Sequence, residues 1–116
     1  MGIGAQSLRD NTGGNANTGV GLNALRDNTT GSGNLGFGVN AGVGNTTGEN
    51  NVFLGANAGE LNTTQSSNVF IGHQAGRNAT IASSTFIGYQ SGNVTTGASN
   101  TFIGYQSGLV LSLIHI

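Results

Sequence analysis

A glycine that follows an apolar residue recurs at nearly fixed intervals along this chain: Gly4, Gly21, Gly38, Gly55, Gly72, Gly88 and Gly104, at spacings of 17, 17, 17, 17, 16 and 16 residues. The neighbours of these anchors recur with them. One position before lie Ile3, Val20, Phe37, Leu54, Ile71, Ile87 and Ile103; two after lie Gln6, Asn23, Asn40, Asn57, Gln74, Gln90 and Gln106; three after come Ser7, Ala24, Ala41, Ala58, Ala75, Ser91 and Ser107. A unit this short cannot bury an apolar face by itself, so the fold must come from stacking one copy on the next.

Each copy holds one apolar run, Asn-apolar-Phe-Ile-Gly in its fullest form. The run is too short for a helix and rich in β-branched and aromatic residues, which predicts a strand. Thr-Thr-Gly or similar turns join the copies, as at Thr29-Thr30-Gly31 and Thr46-Thr47-Gly48, where Thr and Asn side chains bond nearby backbone. The fold expected is all-β: a parallel β-solenoid, or β-roll, of about seven coils of 16–17 residues spanning residues 1–110. Stacking at the strand spacing of roughly 4.8 Å puts equivalent residues above one another. Asn and Gln columns then form amide ladders of the cross-β kind.

Composition agrees with an ordered repeat and removes several functions. The 116 residues include 22 Gly but no Pro, Cys or Trp, and the formal net charge is −1. A near-neutral chain lacks the basic footprint of nucleic-acid binding. Without Cys there is neither a disulfide framework nor a thiolate metal site, and no apolar run is long enough to span a bilayer as a helix. No membrane insertion, catalytic residues, metal or cofactor is expected. Gly19-Val20-Gly21-Leu22-Asn23-Ala24 matches a dinucleotide-binding phrase, but that phrase needs a following helix. His73 lacks a second ligand. Arg9-Asp10 and Arg26-Asp27 are one repeat apart and read as a surface ion-pair ladder rather than paired catalytic carboxylates.

The place of each apolar residue in the repeat predicts its role. The residue before each anchor (Ile3, Val20, Phe37, Leu54, Ile71, Ile87 and Ile103) is expected to form the structural core. The phenylalanines two before the anchor (Phe53, Phe70, Phe86 and Phe102) are expected to face another chain, because one thin coil leaves them uncovered. A trade-off links two sites. Copies with Phe at this position carry Gly four after the anchor (Gly59, Gly76, Gly92, Gly108), whereas Gly2 and Gly19 accompany Leu8 and Leu25. One bulky group thus occupies space the other would fill. The third copy has Gly at both sites, Gly36 and Gly42, which predicts an under-packed junction.

Gly-Leu-Asn-Ala-Leu-Arg-Asp-Asn-Thr-Thr-Gly at 21–31 and Asn-Thr-Phe-Ile-Gly-Tyr-Gln-Ser-Gly at 100–108 resemble the repeats of phage tail-fibre proteins. They are also similar to the head repeats of YadA-like trimeric autotransporter adhesins, although the unit here is longer and carries Phe before Ile. The resemblance implies a homotrimeric β-roll, a structural rod in a virion tail fibre that supports attachment to a host-surface receptor or glycan. The alternative it implies is a bacterial surface adhesin. The column Thr12, Thr29, Thr46, Thr63, Thr80 and Thr96 raises ice binding as a minor alternative. Residues 111–116, Leu-Ser-Leu-Ile-His-Ile, resemble the translated end of a sequencing-library adapter and are expected to be an artefact. The array is expected to be a fragment of a longer protein.

Overall fold

The structure, a computed structural model, describes residues 1–109; the apolar tail at 111–116 lies outside them. Seven short strands form one parallel sheet in sequence order: β1 Gly2–Ile3, β2 Thr18–Val20, β3 Leu35–Phe37, β4 Val52–Leu54, β5 Val69–Ile71, β6 Thr85–Ile87 and β7 Thr101–Ile103. Neighbouring strands pair at the repeat period, as in Val52↔Val69 and Val69↔Thr85. The chain winds about six turns as a β-solenoid, and coil n below is the turn carrying strand βn. The molecule is elongated, 45 × 20 × 16 Å.

The anchor glycines are required by this winding. Gly21 and Gly38 have φ of +128° and +135°, and a Cβ on Gly21 would lie 2.6 Å from the carbonyl oxygen of Gly38 on the next rung. Only glycine meets both the left-handed backbone and the close approach.

The two faces of the strands are exchanged relative to expectation. The middle residue of each strand points inward: Phe53, Phe70 and Phe86 are fully buried, and Phe102 is half-buried. They are the core, not a free face for another chain. The residues expected inside point outward: Ile3, Phe37 and Ile103 are 54%, 51% and 67% exposed, Leu54 is also exposed, and Val20, Ile71 and Ile87 are half-buried. Strand side chains alternate, so a one-residue error in phase moves a whole column to the other face.

The trade-off between Phe and Leu holds, and it happens inside. A methyl on Gly59, Gly76 or Gly92 would overlap the ring of Phe53, Phe70 or Phe86 respectively, and one on Gly36 would lie 2.8 Å from Leu25 Cγ. The third coil is not under-packed. Phe53 and Leu25 reach over Gly42 from either side, so a methyl there would overlap Phe53 and lie 2.9 Å from Leu25 Cδ2. The rings form a column, with Phe70–Phe86 centroids 4.9 Å apart and Phe86–Phe102 5.2 Å apart. Burial of each ring contributes roughly 1.5–3 kcal/mol.

Beside the rings, Leu25 and a set of buried alanines, much of the interior is polar. Asn17, Asn34, Asn51 and Asn68 form a buried relay: each Oδ1 accepts the backbone N–H of its equivalent one rung later, at 2.9–3.0 Å, and Asn68 passes the same bond to Ser84. Ser84 continues it through its hydroxyl, which accepts from the Asn100 N–H at 3.0 Å. A second column links Asn45 Nδ2 to Asn28 Oδ1 at 2.8 Å and Asn28 Nδ2 to Asn11 Oδ1 at 2.7 Å. Buried amides are tolerated here because the repeat supplies each with partners.

Candidate interaction face

The strands and the residues after the anchors build one outward flank. The first strand position brings Thr18, Leu35, Val52, Val69 and Thr85 to half-buried places on it. The last brings the column Ile3, Val20, Phe37, Leu54, Ile71, Ile87 and Ile103. The half-exposed backbone of the anchor glycines Gly21 to Gly88 follows. Beyond it stands a third column, Ala5, Leu22, Val39, Ala56, His73, Tyr89 and Tyr105, in which Leu22, Val39 and Tyr89 are exposed and Tyr105 is 73% exposed. The alternation that buries the phenylalanines puts the aliphatic column outside.

The third column changes character along the molecule. Aliphatic in the first coils, it becomes an aromatic stack, with His73–Tyr89 centroids at 5.5 Å and Tyr89–Tyr105 at 5.3 Å, within 17° of parallel. Next to it runs an amide ladder at backbone positions with φ of 52–60°. Asn23 donates to Asn40 at 3.0 Å and Asn40 to Asn57 at 3.1 Å, while Gln106 donates to Gln90 at 2.9 Å and Gln90 to Gln74 at 2.7 Å.

Formal charge is kept off this flank. Arg9 and Arg26 pair with their own neighbours, Arg9 Nε–Asp10 Oδ1 at 2.8 Å and Arg26 Nε–Asp27 Oδ1 at 2.6 Å, and Arg9 reaches Asp27 of the next rung at 4.0 Å. The hydrogen bond from Arg9 holds the Asp10 carboxyl below the usual carboxylate range. The ladder foreseen from the repeat therefore exists, but its strong contacts lie within each rung.

Other sequence signals have structural places. The Gly19–Ala24 phrase forms a strand and a turn, with no helix after it to receive a phosphate. Among the described residues no group of three or more His, Asp or Glu is placed to hold a metal ion, and no pocket opens. No helix among them is long and apolar enough to cross a membrane. The first half of the Thr column is engaged within the fold. Thr12, Thr29 and Thr46 hydroxyls donate to the carbonyl of the next threonine at 3.1–3.3 Å. Five Asn-x-Ser/Thr triplets begin at Asn28, Asn45, Asn62, Asn78 and Asn93; the first three asparagines are fully buried, Asn78 is exposed and Asn93 is half-buried.

The sequence reading missed the outward flank as a surface. The signal for it was the Leu–Gly and Phe–Gly trade-off, which fixes the positions two before and four after the anchor as sharing one interior. Comparisons with protein-family models, curated proteins and solved structures found no match for this chain.

Proposed function

We propose that the chain is a structural segment of an extended fibre, a rod that holds a host-attachment tip away from a particle such as a phage virion. The observation that carries this reading is the uncharged, apolar flank running from coil 1 to coil 7. A long apolar surface on a soluble rod marks a place where another chain packs. The partners proposed are two further copies of the same chain, in a homotrimer. The columns facing the shared axis are then Val20, Phe37, Leu54, Ile71 and Ile87, in place of the phenylalanines. Such a rod needs no catalytic group.

The second reading is a surface adhesin that binds host ligands directly. It is favoured by the stacked Tyr89 and Tyr105 beside the Gln90 and Gln106 amides, which leave polar groups and ring edges open to solvent at one end. The threonine column supports ice binding poorly, because the hydroxyls of Thr12, Thr29 and Thr46 already donate within the stack.

Light scattering on the purified array tests the fibre reading. A mass of three chains is expected, falling to one chain in an Ile71→Asp/Ile87→Asp variant that keeps its β circular-dichroism spectrum. A folded wild-type chain that stays monomeric at high micromolar concentration would sink it.

A further inference from the structure

Several independent breaks fall at one place, between coil 4 and coil 5. The repeat shortens there: Thr63-Thr64-Gln65 of coil 4 is answered by Thr80-Ile81 of coil 5, so one turn residue is missing. The buried asparagine column ends with it. Ala79 stands where the next amide would be, and Asn62 Nδ2 turns to the Ile81 carbonyl at 3.5 Å. The Oδ1 atoms of Asn45 and Asn62 are left buried without a donor.

The threonine corner comes unlaced at the same point. In earlier coils the corner amides donate across rungs, Thr29 N–H to Thr46 O at 2.9 Å and Thr46 N–H to Thr63 O at 2.7 Å. Thr63 and Thr64 instead donate to the side chain of Gln65 in their own coil, both at 3.1 Å. The outer amide ladder also stops. The run from Asn23 donates toward Asn57 and the run from Gln106 donates toward Gln74, so the two meet head to head. The phenylalanine column tilts here, by 46° between Phe53 and Phe70. What stays intact is the strand side, where Val52↔Val69, Phe53↔Phe70 and Leu54↔Ile71 are paired in full, together with the turn after the anchor, where Gly59 N–H donates to the Ala75 carbonyl at 3.0 Å and Leu61 N–H to the Arg77 carbonyl at 2.9 Å. An ion pair, Arg77 with Glu60, bridges the same two coils.

We infer that this boundary is a built-in hinge. Coils 1–4, whose threonine corner is laced by backbone amides from rung to rung, and coils 5–7, whose corner amides at Thr80 and Ile81 make no such bond, form two blocks joined along the strand ladder and opening first at the threonine corner, with Arg77–Glu60 as a surface latch. Sub-global opening follows the line of fewest cross-links, and in stacked repeats the weakest nearest-neighbour interface sets where a stack divides. The hinge lets a rod bend at one defined coil without losing its outward flank.

Residue-resolved hydrogen exchange on the whole chain tests this. The amides of Thr63 and Thr64 are expected to exchange at least roughly tenfold faster than those of Thr29 and Thr46. Arg77→Gln is expected to widen that gap while leaving Thr29 unchanged. A repaired chain, with Ala79→Asn, Ile81→Gly and one Thr inserted after Thr80, restores the seventeen-residue period and is expected to bring Thr63 down to the rate of Thr46. Equal protection at Thr29, Thr46 and Thr63 in the unaltered chain would overturn the hinge. So would a folded repaired chain in which Thr63 still exchanges fast. If the repaired chain does not fold, the gradient in the unaltered chain and the response to Arg77→Gln decide.

Discussion

The first coils and the last coils share one backbone path and fill it differently. In coils 1 and 2 the apolar half of the interior is supplied by Leu8 and Leu25, which follow the anchor and reach over Gly19 and Gly36 of the next rung; in coils 4 to 7 it is supplied by phenylalanines from the strands. The far corner differs as well. Asn11, Asn28 and Asn45 lace it in the early coils, and Ala79 with Ile81 pack it in the later ones. Leu8 and Leu25 hold φ of 52° and 51°, a strained place for a branched residue, while the later coils put glycine there. The same cross-section thus accepts a hydrogen-bonded filling or an apolar one. What each coil must match is the coil it touches.

The largest effect expected comes from exchanging one filling for the other. Phe70→Gly alone should lower stability by about 4–5 kcal/mol, from the lost ring and the cavity it leaves. Gly76→Leu alone should also destabilise, since that site is occupied by Phe70. Together they rebuild the Leu25 arrangement, and the double variant should recover at least about 1.5 kcal/mol relative to the sum of the singles. Urea denaturation of the four proteins checks this, and strict additivity would mean that the two sites do not share space.

Next is the polar block. Asn34→Ala removes the acceptor of the Asn51 N–H and the donor to the Gly48 carbonyl, both buried, at a cost of roughly 3 kcal/mol. A smaller contrast separates two equivalent asparagines. Asn28 has every polar atom partnered, whereas Asn62 keeps an orphan Oδ1. Asn28→Ala should therefore cost about 2 kcal/mol and Asn62→Ala under about 1 kcal/mol. Equal losses would remove the distinction between a laced and an unlaced corner.

The smallest effect expected is electrostatic. Asp10 titrates below the ordinary carboxylate range because Arg9 hydrogen-bonds its charged form. Its contribution is present above the unfolded carboxylate pKa and is lost as pH falls through the lowered folded value. An Asp10→Asn variant should flatten the acid limb of the melting curve slightly, and more at low salt than at high.

The repeat length, the strands, their parallel order and their register were all legible, because each depends only on equivalent residues stacking. The face assignment was not. A three-residue strand offers too little alternation to fix its phase, and Ile beside Phe reads as core in either position. The clue lay six residues apart, in Gly19 with Leu25 against Phe70 with Gly76, where volume conserved across two sites marks them as contacts. The boundary at Thr63 was illegible for another reason: a one-residue deletion in a polar turn looks like loop variation until Ile81 is seen in the place held by glycine in the early coils.

The anchor glycines carry one more consequence. Because each sits against the carbonyl of the following rung, every coil presents to its neighbour the docking surface it itself receives. A gene encoding such a chain can therefore gain or lose whole units of about seventeen codons in frame, and the protein changes reach without redesigning any contact.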